Sequence, residues 1–142
     1  MATKTEAYVD TSAFIAFVDS SDSYHAVFNR LFADSPKLAT TPLVAEGHGW
    51  FLRRYDRFKA LQFIGLIESL DMLTIANSTH ADRNASFAVL RQHLDQDLKL
   101  VDALGIHVMV SRSSQICWST DFHLGLSGVP LVINSRSIDD SL

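Results

Sequence analysis

Short apolar runs alternate along the chain with longer stretches in which apolar residues recur at helical spacing, the pattern of β-strands separated by α-helices. Tyr8-Val9 closes a first strand, and Thr11 to Val18 reads as the helix that follows it. A second helix is expected through about Phe32, capped by Ser21 or Asp22, whose short side chains can accept from the free amides of a first turn. Lys37 to Thr40 predicts a second strand. Thr41-Pro42 joins a capping hydroxyl to a proline whose missing N–H is harmless in a first turn, so a helix should start there with Leu43, Glu46, Trp50 and Arg53 on one side. Phe58, Leu61, Ile64 and the stretch 66–70 continue at helical spacing, and Met72 to Ile75 predicts a third strand. Helices are expected over about Ala81 to Leu94 and Leu98 to Val110. Gln115 to Trp118 and Leu131 to Ile133 are expected as short buried strands around the polar segment 120–128, and the polar tail 134–142 as loosely held.

Strands that alternate with helices pair mainly in parallel, with helices covering both faces of the sheet. No repeat, low-complexity tract or linker divides the 142 residues, so one domain over 1–142 is expected. Ligands of such sheets bind beyond the carboxyl ends of the strands. Asp10 and Asp121 each follow a predicted strand, while Glu46 and Asp102 fall near helix starts at the same edge. Asp102 also shares a helix face with Gly105, Ile106 and Met109, which puts an acid on the buried side. Carboxylates held against apolar surroundings are costly unless a cation or a proton compensates them, and several converging acids point to a metal site.

Composition changes this picture little. A formal charge of -4 does not suggest a nucleic-acid binder, but divalent cations at the acids would offset much of it. The apolar stretches are broken by charge before a bilayer-spanning length, and the amino terminus lacks a signal-peptide pattern, so a soluble, cytoplasmic protein is expected, with no membrane partner. The lone cysteine, Cys117, lies in an apolar run and is expected to pack in the core.

Val9-Asp10-Thr11-Ser12-Ala13, Thr40-Thr41 with Val44-Ala45-Glu46, 97–103 with Asp102, and Ser119-Thr120-Asp121-Phe122-His123 follow one another in the order and spacing of the PIN-domain nucleases, and the chain resembles in particular the VapC-like toxins of type II toxin-antitoxin pairs. The resemblance implies a three-layer α/β/α PIN-like fold with a central, mainly parallel sheet and metal-dependent hydrolysis of RNA phosphodiester bonds. It assigns Asp10, Glu46, Asp102 and Asp121 as catalytic and metal-binding residues, with Mg2+ as the cofactor and Mn2+ as its substitute. Ser12, Thr41, Lys99 and His123 are expected at the substrate or in support of the site. An RNA substrate, a cognate antitoxin and a homodimer are the partners implied. Whether one or two ions bind, and whether Glu46 acts on the attacking water or on a second ion, stays open.

Each acid also has a plainer reading. Asp10 can cap the helix at Thr11, Glu46 can pair with Arg53 or Arg54, Asp102 with Lys99, and Asp121 can start a turn, while Asp95 and Asp97 can cap the helix of Asp102. Arg53, Arg54, Arg57 and Lys59 form a basic cluster that reads most simply as a solvated face, and most of Phe14, Phe17, Phe28, Phe32, Trp50 and Phe51 as core. Lys99 stands where relatives carry Ser or Thr, and Gly47 and Gly49 interrupt the helix of Glu46. These departures frame the alternative, a PIN-fold domain with weakened catalysis that binds RNA or a protein partner.

Overall fold

A computed structural model describes residues 5–34 and 36–134. The chain runs β1 (Ala7–Val9), α1 (Thr11–Val18), α2 (His25–Ala33), β2 (Leu38–Thr40), a 3-10 turn (Pro42–Ala45), α3 (Glu46–Arg54), α4 (Arg57–Ser69), β3 (Leu73–Ile75), α5 (His80–Gln92), α6 (Leu100–Ser111), β4 (Ile116–Trp118) and two further 3-10 segments, Phe122–Ser127 and Val132–Asn134. The four strands form one parallel sheet in the order β3-β2-β1-β4, with Val9 opposite Trp118 and Thr40 opposite Ile75. Both sheet edges are therefore reached by paired-helix crossovers, α3–α4 into β3 and α5–α6 into β4.

Alternation along the strands sorts the core into two layers. Ala7, Val9 and Trp118 face one side, where they join Phe14, Phe28, Phe32, Phe51 and Phe63 from α1 to α4. Tyr8 and Cys117 face the other, against Leu104, Val108 and Met109 of α6. Cys117 is fully buried, as expected for packing, and burial pushes its thiol pKa far up. The six aromatics expected in the core lie there or pack against it; the exposed rings are Phe58, Phe122 and Tyr55. No helix among the described residues is long and apolar enough to cross a membrane.

Gly47 shows why α3 carries glycine. A Cβ at that position would stand 2.3 Å from Cζ of Phe63, so the missing side chain lets α4 seat a phenylalanine against α3. The space beside Gly47 is thus filled by this chain's own Phe63. Gly105 plays the same part on α6, where a Cβ would meet the Tyr8 hydroxyl at 2.6 Å.

Several expected boundaries move for local reasons. Neither Ser21 nor Asp22 caps α2: Ser21 bonds to Asp19 (Oγ–Oδ1 2.7 Å), Asp22 accepts from the Tyr24 amide (2.8 Å), and the helix starts only at His25. The helix expected from Pro42 opens as a 3-10 turn, with the Thr41 hydroxyl accepting from the Leu43 amide at 3.2 Å. Asp95 and Asp97 do not cap α6. Asp102 itself, in the first turn, accepts from the Lys99 amide at 3.1 Å, and the helix begins at Leu100. The strand expected over Leu131 to Ile133 shrinks to one parallel bridge, Cys117 to Leu131, before the chain tightens into a 3-10 turn. Its apolar pattern arises because Leu131 and Val132 pack into opposite core layers, without continued pairing. The polar tail beyond residue 134 lies outside the described residues.

Candidate metal centre

Strand order sets the position of the acids. Val9 pairs with Trp118, so the next residues, Asp10 and Ser119, leave the carboxyl edge of adjacent strands side by side, and the Asp10 amide bonds to the Trp118 carbonyl at 2.9 Å. Asp10 caps α1 there: its Oδ2 accepts from the Ser12 hydroxyl (2.7 Å), the Ser12 amide (3.3 Å) and the Ser119 hydroxyl (3.2 Å). Ser12 in turn accepts from the Thr120 amide (3.0 Å), and Ser119 from the Asp121 amide (2.9 Å). Two hydroxyls thereby lock the loops after β1 and β4 together, fixing the carboxylate of Asp10 and the backbone of Asp121.

Asp121 caps the following 3-10 segment through the His123 amide and bonds the His123 ring Nδ1, both at 2.9 Å. Asp102 arrives from α6, and ligand atoms of Asp102, Asp121 and His123 lie within 4.8 Å of one another. Glu46, the first residue of α3, comes from the opposite wall, with the Thr11 hydroxyl as its partner. Asp10, Glu46, Asp102 and Asp121 line a single cleft of about 280 Å³, with Ser12, Trp50, Arg53 and Lys99 also in its walls. Thr41 stands behind it, buried, holding the turn that leads to Glu46 and bonding the Tyr8 hydroxyl.

Caps and convergence coexist at Asp10 and Asp121, because one carboxylate can satisfy backbone amides and still face the cleft. The plainer readings of the other acids do not hold: no ion pair joins Glu46 to Arg53 or Arg54 among the described residues, and Asp102 is bonded by the Lys99 amide. The Lys99 ammonium faces the cleft, where it favours the charged forms of Glu46 and Asp102. The basic cluster divides. Arg53 enters the cleft wall, whereas Arg54 lies over the Trp50 ring at 5.4 Å and Arg57 over Phe58 at 5.1 Å.

The acids are under electrostatic pressure. Burial raises the pKa of Asp10, against the Ser12 and Ser119 bonds that lower it, and the Asp121 charge raises it further. Burial is also the main cause that carries Asp102 to about 6, aided by Asp121 and Asp10. Glu46 is raised by desolvation and by Asp10. Four carboxylates lining one cleft, three of them with raised pKa values, form an oxygen-rich set suited to a hard divalent cation, whose charge would relieve the mutual repulsion. Sequence reasoning passed over Ser119, Thr11, Trp50 and Arg53 as parts of this site. Only Ser119 carried a usable signal, since it ends the strand that parallel pairing sets beside β1.

A family model for the PIN domain matches residues 7–124. Among solved structures, VapC20 of Mycobacterium tuberculosis, a toxin that cleaves the sarcin-ricin loop, superposes with a TM-score of 0.78 at 22% identity over 87% of this chain and 95% of its own. VapBC2 of Rickettsia felis, bound to a DNA fragment from its promoter, gives 0.65 at 11% identity over 89% and 97%. No curated protein matches in sequence. With the four-stranded parallel sheet, its flanking helices and a family match spanning most of its length, this chain belongs to the PIN-domain family.

Proposed function

We propose that the protein is a metal-dependent endoribonuclease and the toxin of a toxin-antitoxin pair. The observation that carries this reading is the convergence of Asp10, Glu46, Asp102 and Asp121 on one cleft at the carboxyl edge of the sheet, in a PIN-domain chain. VapC20, which shares the fold, is an RNA-cleaving toxin, and this likeness supports the choice of RNA over other phosphodiesters.

In this reading Asp10, Asp102 and Asp121 hold Mg2+, with Mn2+ able to replace it. The bound cation supplies positive charge at the phosphate and makes water a better nucleophile near neutral pH. Glu46 orients the attacking water and accepts its proton. Its pKa, raised by desolvation, brings it nearer to the working pH of a general base. Thr11 fixes the Glu46 carboxyl, and the Ser12–Ser119 pair holds Asp10 against rotation. Lys99 and Arg53, in the same walls, bind phosphate oxygens that the carboxylates would otherwise repel. His123 keeps Asp121 turned toward Asp102 through its ring nitrogen.

An antitoxin and a second copy of the chain are the proposed protein partners. The exposed Leu52, Phe58 and Leu61 on α3 and α4 offer apolar surface for such contacts. The test is cleavage of a mixed RNA population by the purified protein in magnesium or manganese. Fragments that appear with metal and vanish with chelator are expected; RNA that is bound but stays intact under every metal condition would reject the enzyme reading.

A further inference from the structure

A second chamber opens beside the acidic cleft, about 360 Å³ in volume, within the range of small-ligand pockets. Its position follows from strand order. The acids leave β1 and β4, whereas this chamber lies past β2 and β3, between the 3-10 turn and the first turns of α5 and α6. The same two elements wall both spaces. The turn carrying Pro42–Ala45 puts Leu43 in the chamber just before Glu46 enters the cleft, and α6 puts Leu100 and Leu104 in the chamber while Lys99, Val101 and Asp102 face the cleft.

The walls are mixed in a way that suits a planar heterocycle. Leu43 and Leu100 keep 38% and 43% of their surface exposed, an apolar pair that water covers in the free protein. Ser78, His80 and Arg83 supply the polar side. The Arg83 guanidinium donates to Nδ1 of His80 and takes part in no ion pair among the described residues, so a cation is presented without an anion. The turn carrying both is tied by hydrogen bonds. Asp82 accepts from the Thr79 amide (2.9 Å) and hydroxyl (2.8 Å), and its other oxygen meets Nε2 of His107 on α6 at 2.8 Å. These bonds hold the Asp82 pKa down at about 2, so this anchor between α5 and α6 stays charged at any working pH.

We propose that the chamber is a base-recognition subsite that takes the nucleobase and ribose next to the phosphate lying in the acidic cleft, with Leu43 and Leu100 against the base plane and Arg83 reading its edge. The inference rests on the ribonuclease reading for what occupies the neighbouring cleft. An arginine fork pairs best with two adjacent acceptors, so guanine, with O6 and N7, is the favoured base.

The test uses the whole chain, isotope-labelled, in chelator, titrated separately with the four nucleoside 5′-monophosphates while amide shifts are followed. GMP is expected to move the amides of Thr79, Arg83, Leu100 and Leu104 at the lowest concentration. Arg83→Ala should weaken that binding about tenfold or more, the loss of one bidentate arginine–base pair, and in RNA cleavage should raise KM while leaving kcat near wild type. Leu43→Ala, at an exposed position, should weaken it as well. GMP leaving these amides unmoved, or binding Arg83→Ala as tightly as wild type, overturns the subsite. GMP binding here in a protein that cleaves no RNA keeps the subsite and removes the nuclease reading; cleavage indifferent to Arg83 and Leu43 does the reverse.

Discussion

Asp10→Asn is expected to lower metal-dependent RNA cleavage by about a thousandfold or more, since removing a carboxylate ligand forfeits several kcal/mol of charge stabilisation at the reacting phosphate. The fold should survive the change. One oxygen of Asp10 collects the Ser12 amide and the Ser12 and Ser119 hydroxyls, and the carbonyl oxygen of asparagine can take all three, so the α1 cap and the β1–β4 loop lock persist. What the substitution removes is the negative charge, and it aims an N–H pair into the cleft where a cation should sit. Steady-state cleavage of a labelled RNA, with circular dichroism of the same preparation, checks both halves. A variant that folds normally and cleaves within tenfold of wild type would take Asp10 out of the site.

Asp102→Asn is expected to make the metal-free protein more stable and to erase its stabilisation by metal. Burial and the charges of Asp121 and Asp10 lift the Asp102 pKa from 3.8 to about 6. The folded state therefore keeps a proton that the unfolded chain releases between those two values. Stability of the metal-free protein from this group is greatest below about pH 4, falls as pH rises through the window, and levels off above about 6. At neutral pH the penalty is on the order of 2 kcal/mol. Asparagine keeps the bond from the Lys99 amide and never ionises, so in chelator at pH 7 the variant should melt roughly 5 to 10 °C above wild type, and the gap should close toward pH 4. Adding Mg2+ should raise the wild-type midpoint, by mass action on the folded state, and leave the variant's unchanged. Thermal scans at several pH values with and without metal decide it. A variant less stable than wild type in chelator at pH 7 would mean that Asp102 is a structural acid already compensated within the protein.

Much of this site was readable in the sequence because parallel strands deliver whatever follows them to one edge. Asp10 after Val9 needed only the strand to be recognised, and Asp102 needed only helical periodicity to be placed on the inner side of α6. Glu46 was harder, since its turn begins as 3-10 and its approach to the cleft depends on how deeply α3 settles on the core. That depth is set by Phe63 lying against Gly47, a contact between different helices that no local pattern encodes. Ser119 is a small hydroxyl in an ordinary loop, and its place beside Asp10 follows from register alone. Leu131 and Val132 misled for the converse reason: an apolar pair reads as a strand whether it pairs or merely fills two core layers. The chamber around Arg83 was hidden altogether, because its walls come from three segments joined through the Asp82–His107 contact.

On the proposed reading, the placement of the cations accounts for how a chain of net charge -4 would act on a polyanion. Lys99 and Arg53 border the carboxylates, and Arg83 stands in the adjoining chamber, so positive charge lies along the edge where RNA would run. Such a distribution favours local capture over long-range attraction, and binding should therefore weaken only moderately with salt.

The most direct measurement is anomalous diffraction from crystals of the protein soaked in Mn2+. Convergent carboxylates at the sheet edge predict a manganese peak enclosed by Asp10, Asp102 and Asp121, at direct ligand distances of about 2.1 Å. Manganese bound elsewhere on the molecule, with nothing between those three side chains, would contradict it.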